Sequence, residues 1–363
     1  MTVFKGLSVP LRQLLPFVDG HHFSLLNMTE NNHAGLLLTN LGSPNSTEVG
    51  DIRKYLTAFL MDRRVIDYPY LFRALLVKGI VAPRRAPESA KAYKKVWLPE
   101  GSPLIVYAER LKERVQSKAP FPVALSMRYG QPSTEKAFEE LLVKQPGLEE
   151  VVVLPLYPQY TMSSFDTAVE EVKRVHRKGN YPFRLRFLAP FYNQADYIAA
   201  LAARIRPFLE ETYDKILFTY HGLPERHMGK DDARIAAGKA DFCLPPVNYQ
   251  QQAYETTRLT AAYLNIPQER YETAFQSRLA AAKEWLKPYT AVRLEALPGE
   301  GVKRLLVVSP AFINDCLETI EEIGMTGKEA FEKAGGEQLT LIPCLNDQEQ
   351  FAEAIVKWAT QGQ

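Results

Sequence analysis

Three cysteines in 363 residues, Cys243, Cys316 and Cys344, stand far apart and form no Cys-x-x-Cys pair. That scarcity argues against a disulfide framework and a zinc clasp, and sets the expectation of a reducing, cytoplasmic compartment. Long apolar runs are missing as well. No stretch approaches the ~18 consecutive apolar residues of a membrane-spanning helix, so the chain reads as soluble or at most peripheral. Excess charge is also absent: 44 Lys and Arg against 42 Asp and Glu leave +2. No general affinity for nucleic acid follows from such a balance.

Several catalytic signatures are lacking too. Gly42-Ser43-Pro44 follows the first strand, yet no Gly-x-Gly-x-x-Gly is present, which removes a nicotinamide fingerprint. Gly324-Met325-Thr326-Gly327-Lys328-Glu329 is too short between its glycines for a P-loop and has no Ser or Thr after the lysine. His-Glu-x-x-His and Gly-x-Ser-x-Gly do not occur, so hydrolase readings have no support.

What the chain does contain is an alternation of short β-rich runs and helical patterns along most of its length. This predicts an α/β fold with a largely parallel sheet covered by helices. Strands are expected at 34–40, 122–127, 150–156, 184–189, 215–221, 304–309 and 339–343. Most are continuous apolar runs, as strands buried on both faces should be. Helices are expected at 46–61, 103–116, 134–144, 165–177, 195–211, 250–263, 315–323 and 347–360. The first four strands and the last three form two similar βα halves, and the polar segment 229–248 reads as an irregular excursion. The basic residues Arg84, Arg85, Lys91, Lys94 and Lys95 fit a solvated helix face, with an acidic ligand or a membrane surface as the other reading. Residues 1–33 are set apart as an N-terminal extension: either a disordered or membrane-surface segment, or sequence upstream of a true start at Met28.

Two features carry chemistry. The run Ile216-Leu217-Phe218-Thr219-Tyr220 ends at His221, which places an imidazole at a strand's carboxyl end, where open α/β sheets bind ligands. Imidazole is largely neutral at pH 7 and can accept a proton or bind a first-row metal. The other reading is a core histidine satisfied by one hydrogen bond. In Asp315-Cys316-Leu317-Glu318-Thr319-Ile320-Glu321-Glu322, a helix would put Glu318 and Glu322 on one face with Glu321 on its flank. That file is either a solvated surface or a path for protons or a divalent cation. His227 is assigned to the rim of the site, and His176 to a solvated helix end.

The motifs Asn40-Leu41-Gly42-Ser43-Pro44, Gly101-Ser102-Pro103-Leu104, Met127-Arg128-Tyr129-Gly130, Pro155-Leu156-Tyr157-Pro158-Gln159-Tyr160, His221-Gly222-Leu223-Pro224-Glu225-Arg226-His227, Phe275-Gln276-Ser277-Arg278, Asp315-Cys316-Leu317-Glu318-Thr319 and Ala334-Gly335-Gly336 occur in one order. In that order the chain resembles bacterial ferrochelatases from Ala34 to its C-terminus. The resemblance implies two Rossmann-like lobes with a porphyrin cleft between them. The first lobe is expected over 34–160, completed by the helix 347–363, and the second over 161–346.

The implied activity is insertion of Fe²⁺ into protoporphyrin IX, the last step of haem synthesis. By position His221 and Glu318 match the catalytic, metal-meeting pair, with Glu322 as the proton or metal relay. Leu41, Met127, Tyr129, Tyr157 and Tyr160 are the expected ring walls, and Arg128 the partner of the ring or of a propionate. For the tyrosines, ordinary core with a hydrogen-bonded hydroxyl is the competing reading. Two departures stand out: Ser163-Ser164-Phe165-Asp166 replaces the usual Ser/Thr-rich turn ending in Gly, and Leu279-Ala280-Ala281-Ala282 follows Arg278 where Phe-Gly is common.

Some relatives carry a [2Fe–2S] cluster on four cysteines. With only Cys243 in the corresponding insert, no cluster and no tightly bound cofactor are expected, Fe²⁺ entering as substrate. The expected partners are protoporphyrin IX and Fe²⁺, with no nucleic acid, weak peripheral contact with the inner membrane and a monomeric state. Coproporphyrin insertion, a related metal chelatase, and a non-catalytic porphyrin or haem carrier are the alternatives. A nucleotide-binding α/β protein is disfavoured by the missing glycine fingerprints.

Overall fold

The computed structural model describes residues 33–238, 245–277 and 284–361. The N-terminal extension through residue 32, Cys243, and the segment from Arg278 to Ala282 lie outside the described residues. Two four-stranded sheets organise the chain, each with every neighbouring pair parallel. The first contains β1 (Ala34–Asn40), β2 (Val123–Met127), β3 (Glu150–Pro155) and β4 (Arg184–Phe187) in the order β2-β1-β3-β4. The second contains β5 (Lys215–His221), β6 (Tyr271–Gln276), β7 (Arg304–Val308) and β8 (Gln338–Leu341) in the order β6-β5-β7-β8.

The two sheets therefore repeat one strand order, and β1 and β5 occupy equivalent places in it. In such an order the chain leaves β1 toward one edge and crosses back to β3 on the other side, which opens a crevice at the carboxyl end of the first strand. Asn40 ends β1 and His221 ends β5. Each switch point thus carries one of the motifs.

Burial explains which strands the residue pattern reveals. All seven residues of β1 and all six of β3 are buried, so these strands are continuous apolar runs. β6 is an edge strand whose first three residues, Tyr271, Glu272 and Thr273, are only half-buried, and its mixed pattern hid it from the sequence reading. β4 pairs with β3, so the first sheet runs to Phe187, past the boundary expected at residue 160.

The sheets share a core. Leu36, Leu38 and Leu154 of the first belong to the same buried apolar cluster as Ile216, Phe218 and Val308 of the second. The helices α4 (Pro103–Gln116), α7 (Ala195–Ile205) and α12 (Glu349–Thr360) contribute to that cluster through Leu111, Leu201 and Ile355. Between α4 and α12, Arg114 bonds Glu349 at 2.6 Å and Asp347, just before α12, at 3.2 Å. Each sheet has a second apolar cluster on its other face, around Phe138 and Phe165 in one and Leu294 and Phe331 in the other.

Two helical expectations change. The residues 229–248, read as irregular, begin within α8 (Glu225–Ala236), which buries His227, Met228 and Asp231 on one face. Because that face contains a histidine and an aspartate, it leaves no apolar period to detect. The acidic segment forms not an α-helix over 315–323 but a π-helix over Glu318–Gly327, which runs on into α11 (Lys328–Lys333). Two further π-helical turns cover Leu75–Val81 and Met162–Asp166; such turns recur at functional sites.

Candidate functional site

His221 reaches its position because the five residues before it are buried in β5 while it emerges half-buried. Its Nδ1 lies 2.8 Å from the Gly222 carbonyl oxygen. A carbonyl only accepts, so Nδ1 carries the proton and Nε2 of the neutral ring presents its lone pair. The close approach requires glycine next in sequence: a Cβ on Gly222 would lie 2.6 Å from the Gln276 carbonyl oxygen. The Phe312 ring lies beside the imidazole, with centroids 6.5 Å apart.

Gln276, paired with His221 across β5 and β6, joins this strand end to the acidic helix. Its Oε1 accepts from the Thr219 hydroxyl at 3.1 Å, and its Nε2 donates to the Glu318 carbonyl oxygen at 3.1 Å. Glu322, one turn along, takes the Ser277 backbone N–H at 2.8 Å and the Ser277 hydroxyl at 2.6 Å. Burial pushes the Glu322 carboxyl up, against the pull of Ser277 and of nearby His221, and the charge of Glu318 adds to the rise. The Glu322 carboxyl therefore feels both the imidazole and the Glu318 carboxylate. Glu321 points away from it to Lys95, 2.8 Å distant.

The loop before the helix is fixed from three sides. Asp315 is buried; its Oδ1 accepts from the Thr319 hydroxyl at 2.9 Å, and its Oδ2 from Asn346 Nδ2 at 2.7 Å. Asn40 at the end of β1 donates to Asn314 Oδ1 at 3.0 Å, linking the two switch points. Gly42, just beyond, has φ +99°, and a Cβ there would lie 1.8 Å from the Tyr129 carbonyl oxygen. Only glycine brings the two first-sheet loops this close. Leu41, Ser43, Tyr55, Tyr93 and Glu318 line a water-sized cavity at this junction.

The other expected residues are placed differently. Met127, Tyr129, Tyr157 and Tyr160 are buried: Met127 in the shared core, Tyr157 and Tyr160 in the outer core of the first sheet. Tyr129 donates to Asp62 at 3.0 Å. Arg128 is committed to Asp62 at 2.6 Å and to the Thr167 hydroxyl at 2.8 Å, and its guanidinium stacks over Tyr129. Of the expected ring walls, Leu41 alone borders the cavity that Glu318 lines. Among the described residues no three His, Cys, Asp or Glu side chains gather into a metal-holding group.

Sequence reasoning missed Asp62, Asp67 and the bridging part of Gln276. Asp62 and Asp67 sit between α1 (Val49–Leu60) and α2 (Tyr70–Ala74), in a stretch with no motif or period. Gln276 lay within a quoted motif, but its strand was not recognised.

His227, expected at the rim, is buried on α8, and its Nε2 has no hydrogen-bond partner among the described residues. Burial, then the charge of Arg226, pushes its pKa down to about 4. One turn on, burial pushes Asp231 up to about 6. The two affect stability in opposite senses. Below pH 6.5 the unfolded chain protonates His227 while the folded chain does not, so folding weakens as pH falls toward 4. Between 3.8 and about 6 the folded chain keeps a proton on Asp231 that the unfolded chain releases, so folding weakens as pH rises. His227→Gln removes only the first effect. Relative to the unsubstituted protein, the variant should gain up to about 3 kcal/mol as pH drops from 7 to 4; parallel urea midpoints across that range would contradict the assignment.

A family model described as ferrochelatase matches residues 33–363. A ferrochelatase from Pseudomonas fluorescens biotype C is 47% identical over 328 residues, covering 88% of this chain and 95% of its own length. A ferrochelatase from Azotobacter vinelandii is 46% identical over 331 residues, covering 89% and 97%. Among solved structures, SirB from Bacillus subtilis with Fe³⁺ aligns over 90% of this chain and 93% of its own, with 14% identity and a TM-score of 0.49.

Proposed function

The chain belongs to the ferrochelatase family, and from that premise we propose that His221 takes pyrrole protons, Glu318 meets the incoming metal with it, and Glu322 relays protons away. The enzyme is a ferrochelatase: it inserts Fe²⁺ into protoporphyrin IX, with loss of two protons from the ring, to form haem b. The observation that carries the residue roles is the fixed tautomer of His221, whose Nε2 lone pair is left open by the Nδ1 bond to Gly222.

A free-base porphyrin exchanges two N–H protons for one divalent cation, so the site needs proton acceptors close to a donor set that lets iron go. An imidazole and a carboxylate suit Fe²⁺ without the tight hold of thiolates. Binding the ring in a puckered form would expose its nitrogens part-way to the transition state. Glu322, raised by burial and steadied by Ser277, is suited to receive a proton from the pair and return it toward solvent.

Peripheral membrane contact belongs to the same reading. Among the described residues no helix is long and apolar enough to cross a membrane. Tyr70, Leu71, Phe72 and Leu75 are nevertheless exposed, Leu71 by 81%. Lys78, Arg84 and Arg85 follow, also exposed, giving an apolar and basic face suited to an anionic lipid surface. Such a surface would present a poorly soluble porphyrin beside the site.

Anaerobic insertion of Fe²⁺ into protoporphyrin IX and coproporphyrin III, followed by absorbance, tests the function. Faster turnover of protoporphyrin is expected. A preference for coproporphyrin would move the substrate assignment, and tight binding with no turnover of either ring would leave a carrier.

A further inference from the structure

Arg128, the cation the motifs offered to a propionate, already serves Asp62, Thr167 and Tyr129. A porphyrin bearing two ionised propionates still needs cations where it enters. The next pair stands on α8. Arg226 Nη2 and Lys230 Nζ each lie 2.5 Å from one oxygen of Asp67, and one turn of helix separates the two cations so that they face the same way.

Three observations bear on what this cluster does. First, two cations share one carboxylate, and among the described residues no second carboxylate lies within ion-pair distance of either. Asp67 uses one of the five N–H groups of Arg226 and one of the three of Lys230, so donors and charge both exceed what it can take. Second, the cluster is neither sealed nor fully solvated: the Arg226 and Lys230 side chains are 33% and 47% exposed. The Arg226 guanidinium also lies over the Tyr68 ring, 5.8 Å from its centroid, which orients it. Third, it lies close to the chemistry along the chain. Arg226 is five residues from His221, within about 17 Å along the chain, and Asp67 is three residues before the exposed apolar run that starts at Tyr70.

We propose that Arg226 and Lys230 form a carboxylate subsite at the entry to the porphyrin cleft, that it takes one propionate of the substrate, and that Asp67 is its built-in occupant. The inference rests on the ferrochelatase reading and assigns it a substrate anchor. A propionate arriving there joins or displaces Asp67 and forms charge-assisted bonds of the same kind. Binding then reports the presence of the carboxylate on the ring as well as the ring itself.

Titration of the full-length protein with protoporphyrin IX and with its uncharged dimethyl ester, by porphyrin fluorescence in the same detergent, tests this. In Arg226→Gln/Lys230→Gln the Kd for the diacid should rise at least tenfold while the ester binds as before, and the unchanged ester affinity shows that the cleft is intact. Asp67→Asn should bind the diacid several-fold more tightly, because the competing carboxylate is gone. Weaker binding of both ligands to Asp67→Asn would make the cluster a structural clasp and overturn the proposal, as would equal effects of the double substitution on diacid and ester. If the unsubstituted protein binds neither porphyrin, the ferrochelatase reading itself fails; if it binds both and the variants change nothing, only the subsite is lost.

Discussion

His221→Ala is expected to slow Fe²⁺ insertion into protoporphyrin IX by about 100- to 10,000-fold, the range for loss of a positioned general base, while porphyrin binding changes little. The reason lies in the local backbone. Nδ1 spends its proton on the Gly222 carbonyl, so the ring can take up a proton only at Nε2. Gly222 has no room for a side chain against Gln276, and Gln276 holds the first turn of the acidic helix through the Glu318 carbonyl. The imidazole is therefore aimed by the same residues that place Glu318, and among the described residues no other histidine replaces it: His227 is buried on α8, and His176 and His33 bond the Phe183 and Gly147 carbonyl oxygens. A variant with nearly full rate would show that the pyrrole protons leave by another group.

Asp62→Ala is expected to cost about 3 kcal/mol of folding stability, at the lower end of what breaking a buried ion pair costs. One oxygen of this carboxylate accepts from Arg128 at 2.6 Å, Tyr129 at 3.0 Å and Thr167 at 2.5 Å, and the other accepts the Arg64 backbone N–H at 2.8 Å. Burial raises the carboxyl, but Thr167, the Arg64 N–H and Arg128 together hold it below its ordinary value. Its contribution is thus present above the ordinary carboxylate pKa and is lost as pH falls through the lower, folded value. Truncation would leave the Arg128 charge and the Tyr129 hydroxyl without their acceptor. Glu171, 3.8 Å from Arg128, would compensate in part. Urea unfolding at pH 7 measures the loss, and a change under about 1 kcal/mol would mean that Arg128 finds an equivalent partner.

How much of this was legible depended on what each residue buries. β1 and β5 were read to the residue, because strands covered on both faces leave unbroken apolar runs and His221 visibly ends one. β6 was not, since an edge strand containing Glu272 and Thr273 has neither an apolar run nor a clean alternation. α8 was hidden for a related reason: its buried face holds His227 and Asp231, so amphipathicity measured on apolar residues alone fails. The acidic residues were found, but the π-helical path of Glu318–Gly327 leaves no mark in residue type.

Long-range pairings were the least visible. Arg128 stood in a motif, whereas its partner Asp62 lies in an irregular stretch 66 residues earlier and joins it only through the fold. Asp67 and Arg226 are 159 residues apart, and neither residue's surroundings in the chain point to the other. For that reason Arg128, the expected partner of the ring or of a propionate, was identified by type and neighbourhood, while its bonds to Asp62 and Thr167 come from the fold.

The most direct measurement on the reacting pair is a double-mutant cycle in single turnover, with Fe²⁺ added anaerobically to enzyme preloaded with protoporphyrin IX. If His221 and Glu318 work on one ring as a unit, each of His221→Ala and Glu318→Gln should remove most of the rate, and the double variant should be only a few-fold slower than the slower single variant. Rate losses that multiply in the double variant, or a single variant that turns over like the unsubstituted enzyme, would contradict a shared site.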